Sequence, residues 1–172
     1  DMEQAVRAFE QVIQKVPDSW AAGRARSGIG AIYGVKKEYD EARRTYSLLL
    51  RDYSPDGALC LQARWEIAKT YQEQENWEQA ISAYKEIAEY HPWSALGLAS
   101  PLVVAGLVHQ HQGQPQGVDA YERAVRTYKR LVAQAPSKPS ELQAKGYLAA
   151  AYQGMGQRNE AVQILAELER SS

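Results

Sequence analysis

Apolar and small residues return along the chain every three or four positions, with polar residues between them, which is the spacing of helices that each bury one stripe. Ile29, Tyr33, Ala42, Tyr46 and Leu49 mark two such stripes in succession. The pattern then recurs. Ala5, Ala42, Ala80 and Ala124 are each followed four residues later by a ring, at Phe9, Tyr46, Tyr84 and Tyr128, and each copy has a proline beyond it, at Pro17, Pro55, Pro92 and Pro136. Ala161 and Leu165 begin a fifth copy. Upstream of three copies stands a second pattern, Ile29-Gly30-x-x-Tyr33, Ile67-Ala68-x-x-Tyr71 and Leu148-Ala149-x-x-Tyr152. The predicted unit is a pair of helices. Gly30, Ala68 and Ala149 let the first helix approach its partner, Ala42, Ala80, Ala124 and Ala161 do the same on the second, and the rings fill the remaining space.

Polar turns are expected at Lys37-Glu38-Tyr39-Asp40, Glu75-Asn76-Trp77-Glu78 and Gly156-Gln157-Arg158-Asn159. Asp18 or Ser19, Asp56, Ser94 and Ser140 are predicted N-caps, the last with Gln143 at capping-box spacing. From Ala5 to Ala42, Ala80, Ala124 and Ala161 the intervals are 37, 38, 44 and 37 residues. Gly113-Gln114-Pro115-Gln116-Gly117 is read as a turn inserted in the longest interval, because glycine and proline break helices. The helices from Glu3 to Val16 and from Arg158 to Arg170 are the outermost elements. The reading is one repeat domain over 1–172, with units at 1–17 (second helix only), 18–55, 56–92, 93–136 and 137–172, expected to be a fragment of a larger protein.

These residues resemble the tetratricopeptide repeat, whose pattern is W-x2-L-G-x2-Y, then A-x3-F, then P. The resemblance implies an all-α fold, a right-handed superhelix of antiparallel helix pairs with about four and a half repeats, longer here than the family's usual ~34 residues. Longer helices, rather than long loops, are expected to take up the difference. It also implies a non-catalytic scaffold that binds a protein or peptide in a concave groove lined by the first helices. In the family register Arg24 and Ser27, then Trp65, Lys69 and Gln72, then Val103, Leu107, Gln110 and Gln153 face that groove. Ala31, Gly34, Gln62, Gln143, Gly146 and Ala150 accompany them, so the lining is small, apolar and poor in charge, suited to an uncharged peptide. Trp65 is either an anchor for a bulky guest or packing between neighbouring repeats. The two asparagines, Asn76 and Asn159, fall in turns, so the carboxylate-clamp variety of the family does not fit. The junctions Tyr53-Ser54-Pro55 and Tyr90-His91-Pro92-Trp93-Ser94-Ala95 are similar to those of bacterial envelope tetratricopeptide proteins of outer-membrane assembly and Tol-Pal-associated type, which implies a periplasmic address. Self-association through terminal repeat faces is the alternative role.

Composition narrows the function further. Twenty Lys and Arg against twenty-one Asp and Glu leave a net charge of -1, so no broad field attracts nucleic-acid phosphates or an anionic membrane. Nucleic acid is not an expected partner. The longest apolar run, Leu96 to Val108, contains Pro101 and is too short to cross a bilayer. Cys60 is the only cysteine, which removes disulfides and multi-cysteine zinc sites, and is expected as a buried, inert thiol. His109 and His111, two apart on a helix, point about 200° away from each other and cannot share a metal; His109 is expected as a satisfied packing residue. The glycines of Gly28-Ile29-Gly30 are read as helix packing, because no strand precedes them as a nucleotide loop requires. Glu73, Glu75 and Glu78 read as a solvated face. No cofactor is expected and the chain does not read as an enzyme.

Overall fold

The computed structural model describes residues 1–53 and 57–171. Among them stand nine helices and no strand: α1 (Met2–Lys15), α2 (Trp20–Val35), α3 (Tyr39–Asp52), α4 (Ala58–Glu73), α5 (Trp77–Tyr90), α6 (Ala95–Gln112), α7 (Gln114–Ala133), α8 (Lys138–Gly154) and α9 (Arg158–Glu169). Two compact units, Asp1–Ala83 and Tyr84–Ser172, divide the chain within α5.

In the first unit α1 packs on α2, α2 on α3, and α3 on α4, with α2 also touching α4. Connections this short leave successive helices antiparallel. Ala42, Tyr46, Leu49 and Ala63 form the core, with Tyr33, Leu50, Tyr53, Leu59 and Ile67 packed against them. The repeated small residues act as the spacing predicts. Tyr46 lies against Gly30, where an added Cβ would come within 2.7 Å of its ring, and Phe9 lies as closely against Gly28. An Arg26–Asp52 ion pair of 3.2 Å and a hydrogen bond from the Tyr53 hydroxyl to the Ser19 carbonyl (2.9 Å) fasten α2 to the end of α3.

In the second unit α6 packs on α7, α7 on α8 and α8 on α9, and α6 touches α8. Ala124, Ala149 and Ala161 are buried, as are Leu98, Tyr128 and Leu148. Each large side chain so buried contributes roughly 1.5–3 kcal/mol. Pro101 lies inside α6 and interrupts its ladder of backbone hydrogen bonds. The Tyr128 hydroxyl fills the opening: it donates to the Leu98 carbonyl (2.6 Å) and accepts from the Leu102 N–H (3.2 Å), a side chain inserted where one helix would otherwise bond to itself. Its ring stacks on Tyr147 at 5.7 Å.

The three-residue turns between paired helices share one geometry. Lys37, Glu75 and Gly156 have φ of 62°, 58° and 77°. In each turn the following N–H returns to a carbonyl five residues back, Glu38 to Tyr33, Asn76 to Tyr71 and Gln157 to Tyr152, all at 2.9 Å, which is the Schellman closure of a helix. Tyr39, Trp77 and Arg158 therefore open the next helices rather than sitting in the turns.

Two other expectations are corrected. The segment Gly113 to Gly117 is not an inserted turn: only Gly113, at φ 85°, lies outside helix, and α7 begins at Gln114 with Pro115 in its first turn. Proline at a helix start loses no hydrogen bond and has its φ already set, so this stretch lengthens α7 to 20 residues after an α6 of 18. Ser140 is not a cap. Ser137 caps α8, accepting from the Ser140 N–H at 3.3 Å, and Pro139 sits in the first turn for the same reason as Pro115. Ser19 and Ser94 cap α2 and α6 as expected, accepting from Ala22 (3.1 Å) and Gly97 (2.9 Å). The expected cap Asp56 and the residues Ser54 and Pro55 lie outside the described residues.

Candidate protein-binding cleft

In the first unit the inner faces of α2 and α4 border a cleft of about 530 Å³ whose lining includes Ser27, Ala31, Gly34, Gln62, Glu66 and Lys69. Its α2 wall is low because the residues are small. A Cβ added at Gly34 would meet no heavy atom within 4 Å. Toward α1 a second hollow of about 770 Å³ shares Ser27, Ala31 and Gln62 and is walled by Phe9, Val12, Trp20 and Arg24. The Arg24 guanidinium lies 5.1 Å from the Trp20 ring, and Trp20 is 68% exposed. The two hollows adjoin along α2, one end apolar and aromatic, the other polar.

The polar end is richer in charge than the sequence reading expected. Glu66 accepts from Gln62 at 2.8 Å and from Lys69 at 3.0 Å, and the pKa of Tyr39 is raised by desolvation first and then by the nearby Glu73 carboxylate. Glu66 and Glu73 were not among the expected lining residues. On α4 the open face runs through 62, 66, 69 and 73, positions that stand about 180–240° round the helix from buried Cys60. The family register assigns Trp65 and Gln72 to the groove. Both are half-buried and line neither hollow. Opposite these positions lie buried Cys60 and Ala63 and partly buried Ile67.

In the second unit the expected groove residues differ in exposure. Gln110 and Gln153 are exposed and Val103 is half-buried, whereas Leu107 is only 6% exposed and belongs to the core. A Cβ at Gly146 would meet nothing within 4 Å, so α8 also presents an unobstructed position.

The remaining reactive groups are packed away. Cys60 is fully buried, its thiol donates to the Leu49 carbonyl at 3.6 Å, and burial pushes its pKa up against a smaller opposing pull from Arg64. His109 packs edge-on against Tyr121 at 6.0 Å and against Gly117. It is not a fully satisfied histidine, because its buried Nδ1 has no hydrogen-bond partner among the described residues; the absent side chain of Gly117 lets α7 approach the ring closely. Among the described residues no three His, Cys, Asp or Glu side chains converge as a metal ion would need, and no helix is long and apolar enough to cross a membrane.

A tetratricopeptide-repeat family model matches residues 1–19 and 62–92. Among solved structures, a Podosopora anserina kinesin light chain protein with nearly identical TPR-like repeats superposes with a TM-score of 0.61 at 19% identity, over 98% of this chain and 86% of that one. The fold is tetratricopeptide-like. BtubC (BKLC) from P. vanneervenii matches with a TM-score of 0.59 at 16% identity, over 99% of this chain and 72% of its own. YrrB, described as a tetratricopeptide protein with an unusual peptide-binding site, matches with a TM-score of 0.50 at 15% identity, over 97% and 76%. At these identities the likeness concerns the fold, and the tetratricopeptide fold carries many different partners.

Proposed function

We propose that the chain is a non-catalytic scaffold that holds a segment of a partner protein in the cleft between α2 and α4. The observation that carries this reading is the pair of adjoining hollows that share Ser27, Ala31 and Gln62. Their combined lining offers an apolar end with Trp20 and Phe9 and a polar end at Gln62 and Lys69, the mixture of burial and orientation that peptide grooves use. Glu66 and Lys69 at the polar end already pair with each other, so a largely uncharged segment loses little by displacing water beside them. Peptide binding in YrrB is consistent with this use of the fold. The junction Tyr90 to Ala95 supports, as part of the same proposal, an assembly role at a bacterial envelope.

Ala31→Trp fills the space shared by the two hollows from an exposed helix position. Partner proteins retained by the immobilised chain are expected to be lost with this variant while its helical circular dichroism stays unchanged. Retention of the same proteins by the variant would move the site away from α2.

A second reading is self-association. Met2, Val16 and Trp20 near α1, and Val162 and Leu165 on α9, are large apolar side chains open to water, and such patches mark contact surfaces. Light scattering is then expected to give a mass that rises with concentration and falls back with Trp20→Glu. A mass fixed at 19.2 kDa removes this reading.

A further inference from the structure

The second unit carries a cavity of about 570 Å³ between α5, α6 and α7, none of whose lining residues belongs to the groove face of α6 or α8. Its floor is apolar: half-buried Trp93, Pro101 and Val104 with buried Ala120 and Leu131. Pro101 helps to make it, since the ring carries no N–H and its place in α6 leaves the helix surface without a projecting polar chain. Lys85, Arg123 and Arg130 line the rim, with Glu89 as the lone carboxylate among the lining residues.

These cations differ from the others nearby. Arg126 on the same helix pairs with Glu122 at 3.6 Å, and Lys145 is held between Glu141 (3.1 Å) and Glu167 (3.3 Å). Among the described residues Lys85, Arg123 and Arg130 have no carboxylate within 4.0 Å. In the cleft of the first unit, by contrast, Lys69 pairs with Glu66 at 3.0 Å. An apolar hollow ringed by unpaired cations is complementary to a guest with an apolar side chain and flanking negative charge. A cavity of this size holds one or two large side chains.

We infer that this cavity is a second docking site, which takes an acidic segment of a partner protein with a single large apolar side chain inserted over Trp93 and its carboxylates on Lys85, Arg123 and Arg130. It is independent of the α2–α4 cleft and does not rest on the function proposed for it.

The test uses the whole chain and fluorescently labelled short peptides that carry one Phe, Leu or Ile between Asp and Glu residues, with matched peptides in which Asn and Gln replace the acids. Fluorescence polarisation is expected to show binding of the acidic set, at least about tenfold weaker binding of the amide set, and weakening with added salt, since rim charges are screened. Arg123→Gln with Arg130→Gln, both at exposed positions, should abolish acidic-peptide binding with helical content unchanged, while Ala31→Trp leaves it intact. The inference is overturned if no acidic peptide binds, if the amide set binds equally, or if the arginine double variant still binds. It is overturned too if vesicles of phosphatidylglycerol in phosphatidylcholine bind through these arginines and the peptides do not, because the guest would then be a lipid surface.

Discussion

Tyr128 shows how one side chain can complete a helix to which it does not belong. With its hydroxyl gone, the Leu98 carbonyl and the Leu102 N–H beside Pro101 would both be buried without this partner, and unsatisfied buried groups cost about 1–3 kcal/mol each. Tyr128→Phe is therefore expected to destabilise the chain by roughly 2–3 kcal/mol, read as a lower denaturation midpoint with an unchanged slope in urea. The phenylalanine keeps the ring and its stacking on Tyr147, so a loss near zero would mean that the hydroxyl does not hold α6 together. The sequence announces Tyr128 as a ring four residues after Ala124, and nothing more. That it serves Pro101 depends on α6 and α7 packing side by side.

At the scale of the element, the turns carry stored cost. Lys37 and Glu75 are held in the left-handed region by the helix-closing hydrogen bonds around them, in the place that Gly156 occupies in the last pair. A side chain there costs roughly 1–2 kcal/mol relative to glycine, and glycine recovers part of it at the expense of a freer unfolded chain. Lys37→Gly and Glu75→Gly are each expected to raise stability by about 0.5–1 kcal/mol, visible as a higher Tm. The repeats make this position legible once one copy shows glycine. What the repeats do not reveal is helix length: proline reads as a breaker, yet Pro115 and Pro139 both stand in the first turn of a helix, where the missing N–H has no partner to lose.

For the whole molecule, the two units hold the same kind of buried ring. Tyr46 in the first and Tyr128 in the second have their pKa values raised above the ordinary 10.0, first by burial, with Glu66 adding to the effect on Tyr46. Both must stay neutral while folded, whereas unfolded tyrosines ionise near pH 10. The unfolded chain then binds fewer protons than the folded one, so stability is complete below about pH 10 and declines as pH rises beyond it. A Tm flat from about pH 8 to 9.5 and falling above about pH 10 is expected, with a shallower fall in Tyr128→Phe. An alkaline limb identical in the variant would assign the loss to other groups.

The repeated alanines and rings were sufficient, by themselves, to specify helix pairs, their order and most of their buried positions, because a helix face is set by local periodicity and a small residue at a crossing leaves space for one particular ring. The same periodicity placed Ser27, Ala31 and Lys69 on the open side. That Glu66 and Glu73 border the cleft beside Lys69 was decided only in three dimensions, because it depends on how α4 seats against α2 and α3. The cavity beside Trp93 was beyond reach of the sequence for a related reason. Its apolar floor and its cations come from three helices, and a contact made across helices has no period along any one of them.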